Sequence, residues 1–337
     1  MINHRGPEFK DLLAKVTADL RTVFQTEHEI MILTGSGTGG LEAAIVNLVN
    51  PGDKVVAVSI GEFGERLADI ARVYGADVTK VSAPYGQAAD PQALEEALDR
   101  TPDARAVLVT HNETSTGVTN DLRTLAEVVR SRPNGGPLLV VDGVSSVGSI
   151  PLKTDEWGCD VVISGSQKGW MAPPGLAMLA ISPRAWEAVE ACKCPRYYFD
   201  LRQARKYAAT GQTPWTPAVG VFYALRAGLE LILQEGLENV YARHRRVAQH
   251  CRDGARELGF ELFPDPAYAS NTVTCLKVPA GVDGAALPGR MRAQGVEIAG
   301  GQGKLKGQII RVGHLGYVHE ADIDDVLRAL RVALGEG

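Results

Sequence analysis

Positive charge, cysteine and long apolar runs are all scarce in this chain of 337 residues. Lysine and arginine total 35 against 40 aspartates and glutamates, a formal net charge of −5. A mildly acidic chain without a basic block lacks the cationic footprint that nucleic-acid binding needs. No apolar run approaches the ~18 residues of a membrane span, so no membrane partner is expected. Residues 1–10 are polar and carry no apolar signal-peptide core. The five cysteines, Cys159, Cys192, Cys194, Cys251 and Cys275, are scattered and odd in number. That pattern fits a reducing, cytoplasmic setting better than a disulfide framework. The one close pair, Cys192-Lys193-Cys194, has no partner cluster, so no metal site is expected. Hydrophobic residues at 45% and charged residues at 22% are those of an ordinary globular protein. A disordered tail, a collagen-like chain and a coiled coil are thereby excluded. The length suggests about two domains at roughly 100–200 residues each.

The first half alternates short apolar strands with amphipathic helices. Strands are expected at 29–33, 54–59, 77–81, 105–111, 137–142 and 160–165. Helices are expected at 38–49, around Leu67, Ile70, Ala71 and Tyr74, from Asp90-Pro91 onward, and at 120–131. Gly75 suits the C-terminal cap of the second of these. Val55-Val56-Ala57-Val58, Ala106-Val107-Leu108-Val109 and Leu138-Leu139-Val140-Val141 are nearly continuous apolar runs. Such runs are buried on both faces, as in a parallel sheet covered by helices. The alternation predicts an open α/β sheet with its ligand site at the carboxyl ends of the strands. After about Pro214 the pattern changes. Long helices at 218–234 and 240–258 precede short strands near 260–263, 273–278, 296–299 and 309–312, then a helix at 320–334. This reads as a smaller α+β domain, with the division at 1–217 and 218–337.

Three features at the predicted strand ends carry chemistry. Thr34-Gly35-Ser36-Gly37-Thr38-Gly39-Gly40 follows a strand and opens a helix, which offers backbone N–H groups and a helix N-terminus to an anion. The same glycines satisfy G-x-G-x-x-G, a weak dinucleotide signal by itself. No Gly-Lys-Ser/Thr follows, so the loop is not a P-loop. Asp142 ends a buried strand, where a carboxylate is costly without a cation or donors; alone it could equally bind a metal or cap a helix. Lys168 lies in Ser164-Gly165-Ser166-Gln167-Lys168-Gly169, just past another strand. A lysine in such a loop is usually a surface residue, but this one shares a sheet edge with Asp142 and the glycine loop. An anion cradle, a carboxylate and a lysine are the set that pyridoxal 5'-phosphate (PLP) needs. The phosphate takes the helix N-terminus, the acid keeps the pyridine nitrogen protonated, and the lysine forms a Schiff base and moves the proton. A dinucleotide enzyme would explain the glycines but not Lys168.

With these residues in view, the chain resembles the class V aminotransferases of PLP fold type I, in the alanine–glyoxylate and serine–glyoxylate branch. The resemblance covers nearly the whole chain. It rests on the glycine loop with Leu41-Glu42-Ala43-Ala44, Gly61-Glu62-Phe63-Gly64, His111-Asn112-Glu113-Thr114-Ser115-Thr116-Gly117, Val141-Asp142-Gly143-Val144-Ser145-Ser146 and Ser164-Gly165-Ser166-Gln167-Lys168. It implies a mostly parallel seven-stranded sheet with helices on both faces. It also implies a homodimer with the active site at the interface. By resemblance, Lys168 carries the Schiff base and Asp142 faces the pyridine nitrogen. Ser36, Gly37 and Thr38 cradle the phosphate, with Gln167 beside them. Phe63 stacks on the cofactor ring, although an ordinary core phenylalanine is the alternative. Val144 packs on the ring's other face and Thr114 lies near its ring oxygen. Thr216 reaches a phosphate from the neighbouring subunit, with Thr213 the alternative for that role. Arg311, in Ile309-Ile310-Arg311-Val312-Gly313-His314, grips the substrate carboxylate. Arg202, Arg205 and Lys206 read as a solvated face.

Departures from the family pattern bear on substrate. Relatives usually carry further residues before the segment 3–9, which here follows Met1 almost directly; this touches substrate affinity more than fold. Thr38 and Phe63 differ from the His and Trp of the mammalian branch, so that branch's substrate pair does not transfer. The expected activity moves an amino group from alanine, serine or aspartate to glyoxylate or pyruvate in a ping-pong cycle. A PLP-dependent lyase or cysteine desulfurase is the alternative. Desulfurases usually place His beside the lysine and a cysteine in a mobile loop; here the neighbour is Gln167. Some similar sequences are called hydrogenase subunits, but no cysteine cluster here suits iron–sulfur or nickel.

Overall fold

A computed structural model describes residues 2–335; Met1, Glu336 and Gly337 lie outside the described residues, and with Met1 the expectation about the chain start. The central sheet contains β1 (Glu29–Gly35), β2 (Lys54–Ser59), β3 (Asp77–Ser82) and β4 (Ala106–Thr110). A hairpin of β5 (Asn112–Glu113) and β6 (Val118–Thr119) intervenes, before β7 (Leu138–Asp142), β8 (Val161–Gly165) and β9 (Gly175–Ile181) complete the sheet. The seven strands run in the order β1-β9-β8-β7-β4-β2-β3. All are mutually parallel except β9, which pairs antiparallel with β1 and β8. The fold is the expected α/β architecture, PLP fold type I. The strands expected from apolar runs lie within a residue or two of their predicted bounds. The sequence reading left β9, which follows the Pro173-Pro174 loop, without an element.

Period-two alternation divides the sheet's side chains between two cores. Val56, Val58, Val107, Val109, Leu139, Val141 and Val162 face one way. They meet α1 (Pro7–Phe24), α4 (Pro91–Arg100), α5 (Leu122–Arg130) and α8 (Val219–Glu235). Val55, Ala57, Leu108, Val140, Val161 and Ile163 face the other way, onto α2 (Gly37–Leu48), α3 (Glu62–Val73), α6 (Pro183–Ala191) and α7 (Leu201–Ala208). Helix α1 lies in a segment that the sequence reading left without an element, and it brings Phe9, Leu12, Val16, Leu20 and Phe24 into the first core. The predicted caps are present. Asp90 accepts from Gln92 N at α4, and Gly75, at φ +85°, donates to the Arg72 carbonyl past α3.

The second unit is an antiparallel sheet of β10 (Glu261–Leu262), β11 (Val273–Lys277), β12 (Ala299–Gly300) and β13 (Ile309–Gly313), in the order β10-β11-β13-β12. Helices α9 (Leu237–Glu257), α10 (Leu287–Ala293) and α11 (Glu320–Leu334) cover one face. The strand expected at 296–299 forms only as the two-residue β12. Helix α8 lies beyond the expected division at 217/218, yet it buries Phe222, Leu225, Leu229 and Ile232 in the core of the large sheet. Its Gly228 is the reason it can lie so close: a Cβ there would come within 2.0 Å of the Trp170 carbonyl oxygen.

Candidate active site

The carboxyl ends of β1, β7 and β8 meet at one edge. Ser36 caps α2, its Oγ accepting from Gly39 N at 3.3 Å. Gly37 has no room for a side chain: a Cβ would come within 2.9 Å of Val144 Cγ2. The Gly37 amide and the Gln167 Oε1 both crowd Gly165, at 3.3 and 3.1 Å from the place a Cβ would take there. The glycine loop, the turn after Asp142 and the turn before Lys168 are therefore in mutual contact.

Asp142 is 4% exposed, and its Oδ1 accepts one hydrogen bond, from Val144 N at 3.0 Å. Burial pushes its pKa up to about 6; the Val144 hydrogen bond pulls the other way, the Glu113 carboxylate adds to the rise, and Lys168 and Arg66 oppose it. Lys168 is held below the ordinary lysine range, first by burial and then by the cations of Arg311 and Arg66, while Asp142 works against the fall. A buried carboxylate with a single hydrogen-bond donor and a partly buried amine thus feel each other's charge. The turn carrying Lys168 is tied to the strand before it. Trp170 Nε1 donates to Ser164 Oγ at 2.8 Å, and Met171 adopts φ +60°, a conformation uncommon for a residue with a side chain.

Phe63 sits in the first turn of α3, and that turn is capped from a distance. The Glu113 carboxylate, on a residue with no exposed surface, accepts from Phe63 N (3.1 Å), Gly64 N (3.0 Å), and Ser115 N (3.1 Å) and Oγ (2.6 Å). Ser115 Oγ in turn accepts from Glu62 N at 3.0 Å. A Cβ on Gly61 would come within 2.5 Å of Glu113 Cγ, so the cap requires glycine there. Burial raises the Glu113 pKa, and these donors lower it. The role of Glu113 went unread in the sequence, because its partners in the first turn of α3 lie some fifty residues away. Arg66, one turn beyond Phe63, stacks its guanidinium 4.8 Å from that ring's centre and donates to Thr38 Oγ1 at 3.3 Å.

Arg311 reaches this edge from the other unit. On β13 its neighbours Ile310 and Val312 turn toward the helices, so alternation sends Arg311 toward the large unit. It is 8% exposed. Its Nε donates to the Gly300 carbonyl at 2.9 Å and its Nη1 to the Thr114 carbonyl at 3.3 Å. Both partners are neutral, so the buried guanidinium keeps its charge uncompensated by any carboxylate ion pair among the described residues. Thr114 Oγ1 donates to Ser145 Oγ at 3.0 Å. Asn112 Nδ2 spans Ser145 Oγ (2.9 Å) and Thr272 Oγ1 (3.0 Å), stitching the two units together behind the site.

The remaining expected residues lie elsewhere on this chain. Thr213 is buried with its hydroxyl donating to the Trp215 carbonyl at 2.7 Å. Thr216 is exposed, beside Ile2, His4 and Tyr223. In the basic trio, Arg205 pairs with Glu29 and lies over the Trp186 ring, and Arg202 pairs with Asp200 at 2.9 Å.

Comparison with known proteins identifies the family. A family model described as aminotransferase class-V matches residues 1–326. The chain is 43% identical over 338 residues to a Synechococcus protein named the small subunit of a soluble hydrogenase, covering 99% of this chain and 87% of that one. It is 40% identical over 326 residues to L-aspartate–glyoxylate aminotransferase of Paracoccus denitrificans, covering 95% and 82%. The crystal structure of alanine–glyoxylate aminotransferase from Nostoc is similar at a TM-score of 0.94 and 35% identity, covering 99% and 89%. A match of this extent, on a chain that gathers a lysine, a buried aspartate and a glycine loop at one sheet edge, places it in the class V aminotransferase family.

Proposed function

We propose that this protein is a PLP-dependent aminotransferase. It passes the amino group of alanine, serine or aspartate to glyoxylate or pyruvate in a ping-pong cycle. The observation that carries the reading is the meeting of Lys168, Asp142 and the Gly37 loop at one edge, with the unpaired Arg311 cation entering from the second unit. The cofactor is a fit to these residues. Gly37 and Gly165 have no room for side chains beside the start of α2, where the first N–H groups of a helix lack intrahelical partners, and Asp142 has acceptor capacity that one backbone donor does not fill.

In this reading, residues 36–38 and Gln167 would hold the phosphate, Phe63 and Val144 would flank the ring, and Thr114 would serve its oxygen. When bound, PLP supplies an electron sink for the substrate's α-carbon. Asp142 holds a proton at the pyridine nitrogen by presenting its carboxylate there. Lys168 Nζ would hold the cofactor's aldehyde carbon and, as a free amine, would move the proton at the substrate's α-carbon; burial holds its pKa below the ordinary lysine range, the direction a base needs. Arg311 binds the substrate carboxylate with the N–H groups its carbonyl partners leave over. A homodimer completes the site: Thr216, exposed on one chain, contacts the phosphate held by the other, with Thr213 as the alternative. Five unpaired cysteines support a cytoplasmic location, and their burial disfavours the desulfurase alternative, which needs an accessible thiol.

The test is the visible spectrum of the protein with PLP. We expect an absorption band that alanine, serine or aspartate bleaches and that glyoxylate or pyruvate restores. Lys168→Ala is expected to lose turnover. A band that no amino acid moves, or substantial turnover in Lys168→Ala, would overturn the reading.

A further inference from the structure

The glycine loop that cradles an anion contains no lysine or arginine. The nearby fixed charges at this edge include two carboxylates, Asp142 and Glu113, and the Glu113 charge is felt at Asp142. A phosphate monoester brings about −1.5 to −2 more at neutral pH. A helix N-terminus offers only about half a positive charge, so the site as described is short of cations. Lys168 and Arg311 do not make up the deficit, because the amine would hold the cofactor's other end and Arg311 is assigned to the substrate carboxylate.

Arg66 is the cation placed to do so. The acids of its own helix are engaged elsewhere: Glu65 with Lys80 at 3.0 Å, Asp69 with Arg72 at 2.7 Å, and Glu62 with the Tyr85 hydroxyl at 3.3 Å. Arg66 itself forms no ion pair among the described residues. Its plane lies over Phe63 and one N–H reaches Thr38 Oγ1, so it bridges the aromatic plate and the phosphate loop. A guanidinium carries five N–H donors in a rigid fork, and Thr38 takes one. Arg66 is exposed, which leaves the rest of the fork available.

We propose that Arg66 is the cation of the phosphate site, binding the phosphate monoester held by residues 36–38 while its plane rests on Phe63. This rests on the PLP reading and extends it to a residue outside the glycine loop. It differs from a purely supporting role, in which Arg66 would steady the Phe63 ring and nothing else.

The test compares PLP with pyridoxal, which lacks the phosphate. Each is titrated into the cofactor-free full-length protein and followed by visible absorbance, for the wild type, Arg66→Met and Arg66→Lys. Loss of a charge-assisted contact is expected to weaken PLP about tenfold or more in Arg66→Met, with pyridoxal changed by less than about twofold. Arg66→Lys, which keeps the charge but loses the planar fork, is expected to recover part of the loss. Salt should weaken PLP binding more steeply in the wild type than in Arg66→Met. Equal weakening of PLP and pyridoxal would overturn the proposal and make Arg66 a prop for Phe63; unchanged PLP affinity would overturn it outright. A wild type that binds PLP isolates either failure to Arg66, whereas a wild type that does not bind PLP overturns the cofactor reading along with it.

Discussion

Asp142→Asn should stabilise the cofactor-free protein in a pH-dependent way while destroying its activity. Burial lifts the Asp142 pKa from 3.8 to about 6. The folded chain therefore holds this proton over a pH range in which the unfolded chain has lost it. Stability falls as pH rises through that window, because ionisation in the folded site is opposed by desolvation. At 1.36 kcal/mol per pKa unit, the full cost above pH 6 is about 3 kcal/mol, and roughly half of it accrues between pH 5 and pH 8. Asparagine keeps the shape and can still accept from Val144 N at 3.0 Å, but cannot ionise. The assay is urea denaturation of the cofactor-free wild type and variant at pH 5 and pH 8. The variant's stability relative to wild type should improve by about 1.5 kcal/mol over that interval. A fixed offset from burying the amide would shift both values equally and leave this slope intact. Saturating PLP should reverse the preference at pH 8, since a protonated pyridine nitrogen gives the wild-type carboxylate its counter-charge. A gap that does not change between pH 5 and pH 8 would refute the reasoning.

Arg311→Ala should weaken both the amino acid and the oxo acid by roughly ten- to a hundredfold, the scale of a lost charged hydrogen-bond pair, in single-turnover titrations of each half-reaction; its contacts to Gly300 and Thr114 are to neutral carbonyls, so the cofactor band should persist. Glu113→Gln should cost about 1–3 kcal/mol in denaturant unfolding, because an amide NH2 would replace one of the acceptors now facing four donors. It should also lower the Asp142 pKa by removing a neighbouring negative charge, visible as a shifted pH dependence of stability.

Much of the fold was legible because parallel strands buried on both faces leave an unambiguous mark. Val55–Val58 and Leu138–Val141 could hardly be anything else, and each sits in the sheet with every side chain covered. β9 was harder to see, being the one strand that enters antiparallel after a loop rather than after a crossover helix. Lys168 and Asp142 could be read because each ends or follows such a run, where chemistry-bearing residues stand out. Glu113 and Arg66 could not. Their roles depend on which side chains α3 meets, and nothing in the local sequence of either residue states that partner.

Length, composition and residue order thus determined the class of fold, the sheet edge where the candidate site lies and the three residue types gathered there. Strand burial and loop chemistry are local properties, and they survive reading in one dimension. Tertiary structure decided what depends on approach between distant segments. It turned Arg311 toward the large unit through the two-residue alternation of β13, and it placed α8 against Trp170 through a missing Cβ at Gly228. It also brought Arg66 to Thr38 across the gap between α3 and α2. Such contacts arise from packing between elements far apart in the chain, and the energy that fixes them is spread over both partners rather than written in either.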